Sequence, residues 1–518
     1  MSWQVIPDRG VAVCTTHLPA AATENIAWAQ RSYVQGAPVT VVPHDHHTYE
    51  ELTGKGLVMP HPIRSMYSWP GRLTPLESQY ETAAFLSHHH RGFCLNGLGT
   101  GKTLAATWAM DYLMEQGAIR RALIVAPLSI CDHVWERELF STLTHRNARV
   151  LRGKRQDKQR MARDTRVDVV VVNPESLHLL EGYLPEVDLV LVDEFTKFKN
   201  AKSQRWKALR NIAKHTRLWM MSGTPAPQAP TDAYGPLALV RQEKMSYTRW
   251  RDLTMEKITE FTWVPKLGAE DMIAKWMQPA IRYTREECYD LPDVQTEVLE
   301  ADLTKDQEKA IKAFQDEAAA QFEEDGEVIT AANAAAVLSK SLQVMGGGVY
   351  GEDEDSGEKY VQKVDAKPFF DTIEDVVEQA DTPVLVFVSF RSSAMAVRDH
   401  LQKAGYDVGL VASGVSQSER SDYFDRVQSG NIDAVVAVAS TMSHGLTLTN
   451  ARYILWATPP YSYETYDQAN GRVIRQGQKN NVVIYHLVQN SLAKDLFRRL
   501  ESKARIQDTV LNLIENTK

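Results

Sequence analysis

Ten short apolar runs, in two blocks of five, constrain the fold of this chain more than any other feature. The first block, between roughly residues 70 and 240, holds GFCLN, RALIVAP, VDVVVVNP, VDLVLVDE and RLWMMSG. The second, between roughly 366 and 518, holds TPVLVFVSF, DVGLVAS, DAVVAVAS, RYILWA and VVIYHLV. Helical stretches such as TLAATWAMDYLMEQG separate the runs. Strands covered on both faces read as continuous Val/Ile/Leu runs without polar alternation, and intervening helices make such strands parallel. The sequence therefore predicts an α/β chain with two tandem lobes, each built on a parallel sheet.

At 518 residues the chain is too long for one ordinary core. Four segments are expected: a small N-terminal module over 1–68, the first lobe over 69–240, a mostly helical connecting region over 241–365, and the second lobe over 366–518. Within the connecting region, GEDEDSGE flanked by VY and KYV reads as an acidic hairpin. The hydrophobic fraction of 43% and charged fraction of 24% are those of a globular protein. With no run approaching ~20 apolar residues and no secretory pattern at MSWQVIPDRG, the expected location is the cytoplasm, with no membrane partner. Four scattered cysteines, at 14, 94, 131 and 288, form no C-x-x-C pair and suit a reducing compartment. The net charge of −8 excludes a surface coated in positive charge, so any nucleic-acid contact must be a local stripe or cleft.

The sharpest local signal is NGLGTGKTLAATW, residues 96–108, between an apolar run and a helix. Glycines in such a loop let backbone N–H groups close around phosphate oxygens at a helix N-terminus. Gly99, Thr100 and Gly101 form the cradle, Lys102 supplies a charge for the outer phosphates, and the Thr103 hydroxyl can ligate magnesium. Asn96 stands where the strict G-x-x-x-x-G-K-[ST] pattern has glycine, so the match is to a looser relative of that loop. A phosphate loop needs a second strand ending in carboxylates, and VDLVLVDEFTKFKN supplies Asp193 for the magnesium ion and Glu194 for the attacking water. Upstream, Gln79 in TPLESQYETAAFL carries an amide able to read the donor and acceptor edge of adenine; a helix-start glutamine is the alternative. ATP and Mg2+ are the expected ligands.

The order of these motifs, followed by RALIVAPLSICDHVWERE, MSGTPAP, FVSF, STMSHGLTLTNA and QANGRVIRQGQ, resembles that of superfamily-two helicases, specifically the Swi/Snf-type DNA translocases. The resemblance runs from about Gln79 to the C-terminus, and YSWPGRLTPLESQ, SHGLTLT and ATPPYSYETYDQANGR look most like bacterial and bacteriophage members. It implies two RecA-like lobes and a DNA-dependent ATPase that acts as a monomer on double-stranded or branched DNA, in host cytoplasm if the chain is from a phage. By the same resemblance, Gly445 and Gln468 join the nucleotide-binding set. Arg475 is the arginine finger for the γ-phosphate, with Arg472 supporting closure or sharing the phosphate. Gln468 precedes Arg472 by four residues, a spacing that places both on one face if the helix continues. Thr196 stands where the family often has histidine, and Gly346-Gly347-Gly348 where relatives carry histidine-proline.

Ser129, Asn173, Ser440 and Thr441 are expected to contact DNA phosphates by resemblance of position, a type of contact that positions without specifying sequence. A helix N-cap would use the same residue types. The basic run RGKRQDKQRMAR, 152–163, reads either as a solvated helix face or as part of a DNA patch. The histidine clusters HDHH at 44–47 and HHH at 88–90 lack metal-site spacing and are expected to be surface or helix-end residues. Two further readings stay open: a branch-migrating or strand-annealing helicase, and a nucleotide-switched DNA-binding module.

Overall fold

All ten apolar runs form strands, as seen in the computed structural model, which describes residues 1–226, 229–242, 245–259, 263–325, 331–352, 359–442 and 447–515. Packing divides the chain into two units, Met1–Cys288 with Thr509–Lys518, and Tyr289–Asp508. The division after Cys288 falls inside the stretch read from sequence as the connecting region.

The first unit is built on seven strands: β1 (Arg91–Cys94), β2 (Ala122–Val125), β3 (Ala148–Val150), β4 (Val169–Val172), β5 (Leu189–Asp193), β6 (Arg217–Met221) and β7 (Ala280–Ile281). They lie in the order β7-β1-β6-β5-β2-β4-β3, and every neighbouring pair is parallel. Alternate residues serve opposite faces: Val170, Val190 and Leu218 enter one apolar cluster, while Val171, Leu191 and Trp219 enter another. Burial on both faces is the physical reason the runs carry no polar alternation. Each such side chain stabilises the sheet by roughly 1.5–3 kcal/mol, enough to make the strand ends a rigid platform for the loops beyond them. Three helices matter for the site: α1 (Glu77–His88), α2 (Lys102–Glu115) and α3 (Arg155–Ala162); a fourth, α4 (Gln204–Ile212), follows β5.

Residues 3–43 form a four-stranded antiparallel sheet in the order Trp3–Ile6, Val11–Cys14, Ala37–Pro43, Gln30–Val34. The expected helix-end placement holds for His46, which opens the helix His46–Gly54, and for His88, which ends α1, but not every ring lies at the surface. His44 and His46 are buried at 1% and 6% exposure, and His46 packs in a group of rings with Tyr49, His61 and Tyr112. His44 Nε2 and Ser65 Oγ lie at hydrogen-bonding distance, as do His61 Nε2 and Ser87 Oγ, and His46 meets Tyr112 edge to face, while Nδ1 of His44 and of His46 is buried without a partner among the described residues.

The second unit carries β8 (Val294–Glu300), β9 (Val384–Val388), β10 (Val408–Val411), β11 (Ala434–Val438), β12 (Tyr453–Trp456) and β13 (Val482–Val488). Its order is β8-β13-β12-β9-β11-β10, again wholly parallel. The acidic hairpin is present as Gly348–Glu352 paired antiparallel with Lys359–Lys363, its turn lying outside the described residues. Helix α5 (Tyr463–Asn470) precedes the arginine pair. Among the described residues, no helix is long and apolar enough to cross a membrane.

Candidate functional site

The sheet order brings together residues far apart in sequence. Strand β6 lies between β1 and β5, so the glycine loop after β1, the Ser222-Gly223-Thr224 turn after β6 and the carboxylates after β5 emerge side by side. This is the carboxyl end of a parallel sheet, where α/β folds place their ligands.

The loop turns back on itself through Gly99 and Gly101, both at φ +79° in the left-handed region that glycine enters without a steric penalty. At Gly101 a Cβ would also lie 2.0 Å from Gln79 Nε2, so a side chain there would displace the Gln79 amide from the loop. Thr100 is buried and its hydroxyl donates to Gly97 O at 2.9 Å. Lys102, the first residue of α2, is 8% exposed and donates from Nζ to Asn96 O at 2.7 Å and Gly97 O at 2.9 Å. A buried ammonium held by neutral carbonyls of its own loop is a cation that an anionic ligand can take over. Thr103 follows at the second position of α2, half-buried. Gln79 sits in the first turn of α1, with its Oε1 accepting from Leu76 N–H at 2.9 Å and its Nε2 at 3.5 Å from Gly101 O. The glutamine thus spans from the helix start to the phosphate loop.

Asp193 ends β5 and is 6% exposed. Its Oδ2 accepts from Trp135 Nε1 at 2.9 Å and its Oδ1 from Glu194 N–H at 3.1 Å. Burial pushes this carboxyl above the ordinary carboxylate range, against the opposing charge of Lys102 and the two hydrogen bonds. Glu194 adopts φ +53°, rare for a residue with a side chain, and its Oε2 accepts from Ser222 Oγ at 3.3 Å. Ser222 and Trp135 were not among the expected site residues. Their sequence signals, SGT closing a strand and the tryptophan of WERE, carry no charge, and only folding shows which carboxylate each one holds. Thr196 is buried at 7% exposure just beyond the pair.

Two strands away, Asn173 follows β4 and is 8% exposed. Lys158 of α3 reaches Asn173 Oδ1 at 3.4 Å and Ser176 Oγ at 2.6 Å, so the basic run is joined to this loop and is not merely a solvated face. Glu175 accepts from Asn173 Nδ2 at 2.9 Å and from Arg205 of α4 at 3.1 Å. Ser129 lies in a short helix after β2, and its side chain is outside the described part of the structure.

The second unit holds the other expected residues. Ser440 is exposed and Thr441 half-buried in the 3-10 turn after β11, where Thr441 Oγ1 is within hydrogen-bonding distance of Val438 O (2.7 Å) and Val411 O (3.1 Å). Gly445 lies outside the described residues. Gln468 is on α5, where its Nε2 donates to Glu464 Oε1 at 3.3 Å. The shared helical face expected for Gln468 and Arg472 is not present, because α5 ends at Asn470 and Gly471 begins a series of turns. Glycine weakens helix continuation, and Asn470 is pinned there by Trp456 Nε1 on its Oδ1 at 3.0 Å. Arg472, 9% exposed, and the half-buried Arg475 stand on these turns, whose far end Gln478 ties to Ala451 O at 2.9 Å.

Among the described residues, Asp111, Glu115 and His145 lie close enough to share an ion. Arg146 Nε occupies Asp111 Oδ1 at 2.6 Å and Tyr67 OH its other oxygen, so a guanidinium already neutralises that carboxylate.

Comparison with known proteins gives two family matches: the SNF2-related domain over residues 45–345 and the helicase conserved C-terminal domain over residues 369–477. The putative protein p41 of Acyrthosiphon pisum secondary endosymbiont phage 1 is 26% identical, covering 81% of this chain and 94% of its own. The SWI/SNF-related matrix-associated actin-dependent regulator of chromatin subfamily A-like protein 1 of Xenopus laevis is 23% identical over 84% of this chain, which spans 44% of that longer protein. Among solved structures, the Sulfolobus solfataricus SWI2/SNF2 ATPase core in complex with dsDNA is similar at 18% identity and a TM-score of 0.42, covering 86% of this chain and 95% of that one.

Proposed function

The chain belongs to the SNF2-related family of helicase-like ATPases, and from that premise we propose that it is a motor coupling ATP hydrolysis to movement along double-stranded DNA. The observation that carries the reading is the convergence of Lys102, Asp193 and Glu194 at adjoining strand ends around a glycine loop at the head of α2. The residues fit a magnesium nucleotide on their own chemistry. The left-handed glycines leave room for backbone donors, the helix N-terminus favours an anion, and Lys102 rests on carbonyls it can leave.

MgATP, when bound, supplies the γ-phosphoryl group that is transferred to water. Lys102 then neutralises the outer phosphates, and Thr103 and Asp193 are the residues that would hold the metal. Trp135 and the Glu194 amide fix the Asp193 carboxylate in one orientation. Glu194, steadied by Ser222, orients the attacking water and accepts its proton. Gln79 is the residue suited to the adenine edge, and Gln468 and Gly445 complete the nucleotide set. Arg475, with Arg472 three residues before it, adds positive charge against the charge that develops on the transferring group.

Asn173, with Lys158 and Arg205 around it, supports a contact to the DNA backbone; Ser129, Ser440 and Thr441 are proposed to extend that track. A neutral amide beside two cations reads phosphate without reading sequence, which suits a protein that moves along DNA. ATP turnover measured without DNA, with single strands, with duplex and with forked duplex tests the proposal. Stimulation by duplex without strand separation is expected, and Lys102→Ala should abolish it. Fork reversal would reassign the protein to remodelling of branched DNA, and a rate indifferent to DNA would sink the motor reading.

A further inference from the structure

The segment of the first unit that leads into the second is tied to the phosphate loop by a ladder that continues past the assigned strand. Phe93 N–H donates to Pro279 O at 3.0 Å, Leu95 N–H to Ile281 O at 2.8 Å and Gly97 N–H to Tyr283 O at 2.8 Å. Arg285 then lies against Gly97, where a Cβ would meet its backbone nitrogen at 3.5 Å. Cys288 ends the segment with its Sγ donating to Ser78 Oγ at 3.2 Å, one residue from Gln79. The next residue, Tyr289, belongs to the second unit, and the chain runs on into β8.

One peptide group joins this segment to the catalytic lysine. The C=O of the Asn96–Gly97 peptide accepts from Lys102 Nζ at 2.7 Å, and the N–H of that same peptide donates to Tyr283 O at 2.8 Å. The group is planar and rigid, so its two ends move together. It is also polarisable: an ammonium on the carbonyl oxygen draws electron density from the nitrogen and strengthens the N–H as a donor. Lys102 must leave Asn96 O to reach a phosphate, and when it leaves, the donor facing Tyr283 weakens.

We infer that the Asn96–Gly97 peptide is a relay, through which nucleotide capture by Lys102 loosens the Tyr283–Cys288 segment where the chain passes to the second unit. The inference rests on the phosphate-loop reading above and adds a positioning role for the Tyr283 main chain and the Cys288–Ser78 contact. Unliganded, the lysine and the ladder hold the segment against the loop and α1. With Lys102 on phosphate, the segment opens more often, and the start of the second unit gains freedom at the moment the nucleotide is in place.

Cys288 is a built-in reporter, because Cys14, Cys94 and Cys131 are buried and Cys288 is only partly covered. The full-length protein is treated with iodoacetamide, and modification of the Cys288 peptide is followed by mass spectrometry, without nucleotide, with MgADP and with a slowly hydrolysed MgATP analogue. Binding is monitored separately with a fluorescent nucleotide. The analogue is expected to speed modification roughly 1.2- to 1.7-fold, the change in open population when one hydrogen bond loses about 10–30% of its strength. Lys102→Met protein should show the faster rate with no nucleotide present. A bound analogue that leaves the rate unchanged or slows it overturns the relay, as does a Lys102→Met protein with the unliganded wild-type rate. Failure of the wild-type protein to bind nucleotide at all would remove the phosphate-loop reading, and the relay with it.

Discussion

The two parallel sheets are made of the same kind of strand, yet their carboxyl-end loops carry different chemistry. In the first unit, the loops after β1 and β5 present Lys102, Asp193 and Glu194, each under 9% exposed, and hold them with Ser222, Trp135 and the loop's own carbonyls. In the second, the hydroxyls in the corresponding places are engaged by their own backbone. Ser389 Oγ donates to Pro459 O at 2.9 Å, and Thr441 Oγ1 faces Val438 O. The second unit's expected site cations, Arg472 and Arg475, stand instead on turns after α5. The architecture is therefore common to both units, and what differs between them lies in the loops at the strand ends.

Removing a charge from each side should break the symmetry of that comparison in different ways. Arg475→Ala is expected to leave nucleotide binding nearly intact while lowering DNA-stimulated turnover by roughly 10³–10⁵, the range for arginine fingers. Fluorescent-nucleotide titration beside steady-state hydrolysis separates the two effects. Loss of nucleotide binding with turnover per bound nucleotide preserved would show that the arginine is a binding residue and that Arg472 or another group acts on the transition state.

A smaller effect tests the proposed role of the first unit in holding DNA. Lys158 bridges Asn173 and Ser176 from a helix whose sequence alone left its role open. Lys158→Ala should weaken duplex binding evenly across sequences and reduce the slope of log affinity against log salt by about one. Titrations at several salt concentrations read both quantities. An unchanged slope would return α3 to the status of a solvated helix.

How much of this was legible in the sequence follows from what each feature depends on. The ten core strands were readable because burial on two faces leaves a contiguous apolar run, and the phosphate loop because its chemistry is contiguous too. Strand β8, VQTEVLE, was missed: it is exposed along most of its length at the sheet edge, so it carries polar residues where a core strand would not. The antiparallel sheet of residues 3–43 has short, half-exposed strands, and its period is correspondingly weak. Ser222 and Trp135 depend on contacts 28 and 58 residues away, which no local pattern encodes. The break of α5 at Gly471 was signalled by the glycine but outweighed by the spacing of Gln468 and Arg472.

The buried histidines give the smallest and most conditional effect, and the sign follows from their surroundings. Burial lowers His44 and His46 from 6.5 to about 4, and drives His61 well below its usual value. For His46, Glu50 and Asp45 oppose that shift, while Arg217 and His88 add to it. In the unfolded chain these rings take up protons near pH 6.5, whereas folded His44 and His46 stay neutral until about pH 4. The unfolded state therefore binds more protons across that window, and stability falls as pH drops through it. Replacing His46 by phenylalanine keeps an aromatic edge toward Tyr112, 5.6 Å between ring centroids in the wild type, and removes one titrating group. Melting temperatures at intervals between pH 7 and pH 4.5 should fall less steeply for His46→Phe than for the wild type. Parallel curves would mean that His46 does not set the acid sensitivity of this unit, and that its neutral burial is matched in the unfolded chain.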